Sequence, residues 1–143
     1  MEIQPYLLFN GRCEEAIAFY RSALGAQELM KLRAKDVPPD PAHPVPPEHA
    51  DKIMHATLVI GKTHVLMSDG DSQSGNTVHA GFSLSVTVDD QASGEKYFNA
   101  LSQGGQITMP FQQTFWTTGF GMLTDKFGVP WMVNVRHEEA APQ

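Results

Sequence analysis

The sequence holds a single cysteine, Cys13, so no disulfide can close within the chain. A reducing compartment fits that usage. Basic residues are scarce: ten Lys and Arg stand against sixteen Asp and Glu, for a net charge of −6. They are dispersed, with no basic cluster, which excludes a nucleic-acid partner held by its phosphate backbone. No apolar run approaches the roughly 18 residues of a membrane span. The opening "MEIQPYLLFN" is acidic where a secretion signal is basic. A soluble, cytoplasmic protein is expected. Catalytic signatures are also missing: there is no H-E-x-x-H, C-x-x-C, P-loop or G-x-S-x-G. "GFGMLT" starts like a dinucleotide-binding turn, but Thr124 replaces its last glycine and a strand is expected to follow.

What remains is an ordinary globular composition, 41% hydrophobic over 143 residues. A chain of that length buries roughly 70% of its unfolded surface and needs no staple. Residues 3–9 read as a strand. Ala16, Ile17, Tyr20, Ala23 and Leu24 recur at helical spacing, with Asn10 expected as the cap and Gly25 as the stop. Residues 27–34 read as a strand. Six of the ten prolines fall between Pro38 and Pro47. Proline fixes φ and donates no hydrogen bond, so this stretch is expected to be an exposed loop. A proline-rich peptide ligand is the functional alternative. Residues 53–60 and 64–68 read as a hairpin turning at Gly61-Lys62. The polar linker "DGDSQSGNT" sets Asp69, Asp71 and Gln73 at calcium-loop spacing. Its glycine is misplaced, however, and Ala80 stands where a bidentate Glu belongs, which argues against calcium.

The second half repeats the plan. Residues 81–88 alternate like a strand, and Asp89 or Asp90 can cap a helix carrying Tyr97, Phe98 and Leu101. Gly104-Gly105 end it. Strands at 106–111, 120–124 and 129–135 follow, the last two joined by "DKFG", where Asp125 is expected to hold the turn. Offset by 78, Tyr6, Leu8 and Asn10 fall on Leu84, Val86 and Val88, and Phe19-Tyr20 on Tyr97-Phe98. Offset by 79, Gly25 falls on Gly104 and Met30 on Met109. Two modules, each too small to bury its own face, are expected to share a core.

"PYLLFNGRCEEAIAFYRSALGA" (5–26), "MHATLVIGKTHVLMSDG" (54–70) and "QTFWTTGFGMLTDKFGVPWMVNV" (113–135) resemble the PhnB-like family. That family sits in the vicinal-oxygen-chelate superfamily of glyoxalase I, fosfomycin- and bleomycin-resistance proteins and extradiol dioxygenases. It also carries an older label as a 3-demethylubiquinone methyltransferase. The resemblance implies an α+β fold of two βαβββ modules, forming an open, curled mixed sheet with a cleft, and a homodimer. It sets residues 1–143 as a single domain: module one about 1–70 with the proline-rich loop at 36–51, a linker about 69–79, and module two about 80–137. Fold alone does not imply activity. No glycine-rich strand–turn–helix site supports the methyltransferase label.

Metal-using relatives converge four His, Gln or Glu ligands from the cleft strands on a divalent ion. By landmarks those positions fall near Gln4 or Pro5, Met67, Phe82 and Met132. Methionine and phenylalanine are poor ligands for Zn²⁺, Ni²⁺ or Mg²⁺, so no metal or other cofactor is expected. Of the six histidines, His43 and His49 lie in or beside the proline-rich loop, His64 beside a turn, His79 in the linker and His137 in the tail. His55 shares a strand face with Thr57 and Val59. It reads either as a half-buried, hydrogen-bonded strand residue or as a cleft-lining acid/base, apt because its unperturbed pKa is about 6.5. Asp69 reads as a cleft-rim residue or as a helix or turn cap. Cys13 has no histidine near it in sequence to make it a nucleophile.

The expected ligand-binding set is His55, Met67, Asp69, Phe82, Gln113, Phe115, Trp116, Phe120 and Met132, with His55 the one catalytic candidate. Apolar walls with a few polar groups characterise small-molecule pockets. The sequence therefore points to a small-molecule binder of this fold that takes an aromatic or amphipathic ligand between the modules. An enzyme with a rearranged site using His55 is the alternative. A protein partner whose aromatics simply fill the core is a third.

Overall fold

A computed structural model describes residues 1–70 and 78–136. The chain divides into two compact units, Met1–Thr77 and Val78–Gln143. Each holds one helix and one four-stranded mixed sheet that does not close on itself. In the first unit the elements run β1 (Tyr6–Leu8), α1 (Cys13–Leu24), β2 (Gln27–Arg33), β3 (Ile53–Ile60) and β4 (Thr63–Ser68). In the second they run β5 (Leu84–Val88), α2 (Gln91–Ser102), β6 (Gln106–Gln112), β7 (Phe120–Thr124) and β8 (Pro130–Val135). The sheet orders are β1-β4-β3-β2 and β5-β8-β7-β6, so the second unit repeats the first strand for strand. In each, the first and last strands are parallel and the other pairs antiparallel.

Helix α1 forms where the apolar spacing predicts, and Cys13, Ala16, Ile17, Tyr20, Ala23 and Leu24 are its buried stripe. Each large aliphatic side chain so buried contributes about 2 kcal/mol of transfer free energy. Gly25 stops the helix in a left-handed conformation (φ 68°), which glycine adopts without steric cost. Asn10 is not the cap. It turns the chain at φ 48°, and the helix starts at Cys13 after Arg12, with no side-chain cap of its own. Asp69 serves instead: one carboxylate oxygen accepts the Cys13 N–H at 2.8 Å, and the other accepts the Ile53 N–H at 2.7 Å. A carboxylate at a helix N-terminus also opposes the positive end of the helix dipole. In α2 the expected local cap is present, with Asp90 accepting from Ser93 N–H at 2.7 Å.

The proline-rich segment is exposed from Pro38 through Glu48. It is entered through a 3₁₀ turn at Ala34–Asp36 and left through another at Pro47–His49, where Pro47 takes the first position, which needs no N–H. Strands β1 and β5 are shorter than their apolar runs suggest. Ile3 and Phe82 lie outside any strand. Of the calcium-like stretch, Asp71 and Gln73 lie outside the described residues, as does His137.

The two halves correspond element by element, at offsets that change along the chain. Helices α1 and α2 match at 78, which sets Tyr20 on Phe98, both buried. Strands β1 and β2 match β5 and β6 at 79, whereas β3 matches β7 at 65 and β4 matches β8 at 66, because the second unit lacks a counterpart of the long proline-rich loop. Tyr6, Leu66, Thr57 and Met30 form one cross-strand row, and Ser85, Met132, Met122 and Met109 form the other. Tyr6 therefore corresponds to Ser85, not to Leu84, and Met30 to Met109. The difference is one residue fewer between β5 and α2.

Candidate ligand-binding site

Each sheet packs one face on its helix. In the first unit that face holds Leu7, Ala56, Leu58, Val65 and Met67, all at most 4% exposed. Strand alternation puts Tyr6, Leu8, His55, Thr57 and Leu66 on the other face. Met67 is thus a core residue at 0% exposure, and its predicted place in the ligand-binding set is corrected. Its neighbour Leu66 takes the helix-free face instead, since on a strand one residue is a change of face.

His55 is on the helix-free face with Thr57, as the alternation predicts. The Tyr6 hydroxyl lies 3.1 Å from its Nδ1 and the Thr57 hydroxyl 3.3 Å from its Nε2. The Tyr6 and His55 rings meet at 5.6 Å between centroids. Both ring nitrogens thus have a hydroxyl partner, and a hydroxyl can donate or accept. The arrangement serves either neutral tautomer of the imidazole. Tyr6 comes from a strand 49 residues away in sequence, which is why sequence reading missed it.

Asp69 is buried, and its two backbone hydrogen bonds assign it the capping role, not the rim. Cys13 beneath it is fully buried. Burial, then the charges of Asp69 and Glu14, push its thiol from the usual value near 9 up to about 12, against a smaller pull from Lys31. A thiol so protonated is no nucleophile at neutral pH.

In the second unit Phe120 and Met132 stand on the helix-free face. Phe120 pairs with Asn134 and Gln112, and Met132 with Met122 and Ser85. Gln113, Phe115 and Trp116 lie in the connection from β6 to β7. Trp116 packs edge-on against Phe120 at 5.4 Å, and Phe115 against Trp116 at 4.9 Å. Phe82 precedes β5 with its ring near His79. Asn134 and Met109, absent from the predicted set, join this face. Asn134 was legible through its parity with Met132.

Glycines shape the opposite side of this wall. A Cβ on Gly121 would sit 2.5 Å from the Phe98 ring, and one on Gly119 at 2.5 Å from Phe111. The "GFG" spacing brings β7 down onto the aromatic core. Asp125 closes the motif, accepting from Phe127 N–H, Val129 N–H and the Trp131 indole N–H at 2.8 to 3.0 Å.

The superfamily's metal does not suit this donor set. The helix-free positions of β1, β4, β5 and β8 near the expected ligands are Tyr6, Leu8, Leu66, Ser68, Ser85, Thr87, Met132 and Asn134. None is a carboxylate, and the one imidazole on this face of these four strands is His64 near the start of β4, opposite Val59. Among the described residues no three His, Cys, Asp or Glu side chains are grouped to hold an ion. Nor, among them, is any helix long and apolar enough to cross a membrane.

Residues 1–134 match the family described as 3-demethylubiquinone-9 3-methyltransferase. The chain belongs to this PhnB-like family. It is 41% identical to protein YjdN of Escherichia coli, over 94% of this chain and 95% of that protein. The crystal structure of protein PA1353 from Pseudomonas aeruginosa matches at TM-score 0.84 and 43% identity, covering 95% of this chain and 98% of that one. The PhnB protein from Bacillus cereus, described as a putative 3-demethylubiquinone-9 3-methyltransferase, matches at TM-score 0.77 and 26% identity, covering 95% and 100%. A fosfomycin resistance protein, FosX from Listeria monocytogenes, shares the fold alone, with 10% identity and TM-score 0.64 over 97% of this chain and 95% of that one. The fold is the vicinal-oxygen-chelate fold. Within this PhnB-like chain, the β1–α1 turn carries one glycine, Gly11, and the β5–α2 turn none. Neither is the glycine-rich turn of a nucleotide-type cofactor site.

Proposed function

We propose that this PhnB-like protein binds a small aromatic or amphipathic molecule on the helix-free faces of its sheets, without the metal its superfamily's enzymes use. One observation carries the reading. Tyr6, Leu8, Met30 and Leu32 are 38–47% exposed, and they neighbour His55, whose ring is already held by two hydroxyls. A largely apolar surface with one oriented polar group fits a small ligand better than solvent. A homodimer working in the cytoplasm is part of the same reading, and sedimentation would measure its mass.

The test is a two-dimensional NMR titration with a panel of neutral aromatic fragments. Shifts confined to Tyr6, His55, Thr57 and, in the second unit, Phe120 and Met132 are expected. A panel that moves none of them would overturn the reading. The His55 arrangement favours a second reading, an enzyme in which the imidazole moves a proton. Elemental analysis of purified protein separates the two metal states. Stoichiometric Zn, Ni, Fe or Mn, lost in His55→Ala, would overturn the metal-free account.

A further inference from the structure

The Tyr6 hydroxyl ends a short hydrogen-bonded chain. It lies 3.1 Å from His55 Nδ1, and the Thr57 hydroxyl lies 3.3 Å from His55 Nε2. The two ends differ in access: Thr57 is 8% exposed and Tyr6 47%. Tyr6 stands on the edge strand β1, and its side chain crosses the neighbouring β4 to meet a residue of β3. Paired strands lie about 4.8 Å apart, so the ring must run along the sheet rather than stand up from it, with its hydroxyl on the helix-free face. Leu8, Met30 and Leu32 on that face are 38–42% exposed and carry no charge.

A neutral imidazole carries one N–H, on either ring nitrogen, and a hydroxyl has one proton to give and lone pairs to receive. The chain therefore has two states with the same two internal hydrogen bonds. With the proton on Nδ1, that N–H donates to Tyr6 and Thr57 donates to Nε2. The Tyr6 O–H is then free to donate outward. With the proton on Nε2, that N–H donates to Thr57 and Tyr6 donates to Nδ1. The Tyr6 oxygen then accepts from outside.

We infer that the Tyr6 hydroxyl is the group that holds the ligand's polar atom, as donor or as acceptor, and that His55 is a positioning residue whose tautomer sets which. The ligand class is an uncharged aromatic ring system with one neutral polar group of either sense, a ring N–H or a carbonyl. The apolar neighbours disfavour a charged ligand, since a charge buried without a partner is costly. Both ring nitrogens of His55 are engaged, so the ligand reaches the imidazole through Tyr6. The inference rests on the binding reading above and names the atom that makes its polar contact.

Titration calorimetry with two matched pairs of probes tests it. Indole and 1-methylindole differ in one N–H donor, and 1-indanone and indane in one carbonyl acceptor. Wild-type protein is expected to bind indole and 1-indanone each about fivefold more tightly than its partner. In Tyr6→Phe both preferences are expected to vanish while the apolar probes still bind. The ¹⁵N resonances of His55 in wild type guard against misfolding of the variant and report what packing alone would not change. Indole should place the proton on Nε2 and 1-indanone on Nδ1, so each nitrogen moves in opposite directions with the two probes. A preference in only one pair or in neither, a preference that survives Tyr6→Phe, or His55 nitrogens that move the same way with both probes overturns the inference and leaves the binding reading standing. If none of the four binds while other fragments shift the Tyr6 face, the inference falls alone. If no aromatic fragment binds at all, both fall.

Discussion

The side chains of Tyr6 and His55 meet at 3.1 Å, linking the edge strand β1 to β3 across the intervening β4. The contact orients the imidazole from one side while Thr57 holds it from the other. Tyr6→Phe removes the hydroxyl and keeps the ring. The ¹⁵N resonance of His55 Nδ1 should then move much more than that of Nε2, with a stability loss of about 1 kcal/mol in urea unfolding. Equal movement of both nitrogens would contradict the assignment.

Asp69 joins helix α1 to β3. In Asp69→Ala the buried N–H groups of Cys13 and Ile53 lose their acceptor. A loss of about 2–4 kcal/mol is expected by urea or thermal unfolding. Asp69→Asn, which keeps an acceptor oxygen, should lose less.

Asp125 ties the β7–β8 turn of the second unit. Asp125→Ala strands three donors, one of them the indole of buried Trp131. A destabilisation of about 3 kcal/mol or more is expected, with a change in Trp131 fluorescence. A melting temperature within a degree or so of wild type would show that the knot is dispensable.

Cys13 links stability to alkaline pH. Its folded-state pKa of about 12 exceeds the ordinary value near 9, so the folded protein holds the proton more tightly than the unfolded chain. The contribution is complete below pH 9. It is lost as pH rises from there toward 12, because the unfolded thiol ionises first. Cys13→Ala should flatten that part of the stability profile. Native protein at neutral pH should resist thiol reagents that label it fully once unfolded. Rapid labelling of the native state would refute the buried placement.

Gly121 has no room for a methyl group, since its Cβ would meet the Phe98 ring at 2.5 Å and the Phe111 backbone at 2.9 Å. Gly121→Ala is expected to cost about 1–3 kcal/mol through overpacking. Gly81→Ala, where nothing lies within 4 Å but φ is +81°, should cost less, about 1 kcal/mol from backbone strain alone. Equal losses at the two sites would argue against the packing account.

Much of the fold was readable because it is written in local periodicity. The apolar stripe of α1, the hairpin at Gly61-Lys62, the Asp90 cap and the Asp125 turn each depend on residues within one or two turns of chain. Strands β3 and β7 appear with the bounds their patterns predict. The misses have a common cause. Asn10 was the nearest residue of capping type, but the cap came from Asp69, 56 residues from Cys13. Met67 lies in the core while its neighbour Leu66 takes the helix-free face, because one residue of phase on a strand is a change of face.

By itself the sequence determined the elements, their order, their duplication and the PhnB-like family signature, since hydrophobic spacing and turn chemistry act over short distances. Register alone decided the two faces. Pairing between strands set Tyr6 against His55 and aligned Met109, Met122 and Met132 in one row. A period-2 strand has only two sides, and a single residue of phase, which local sequence specifies weakly, separates core from candidate site.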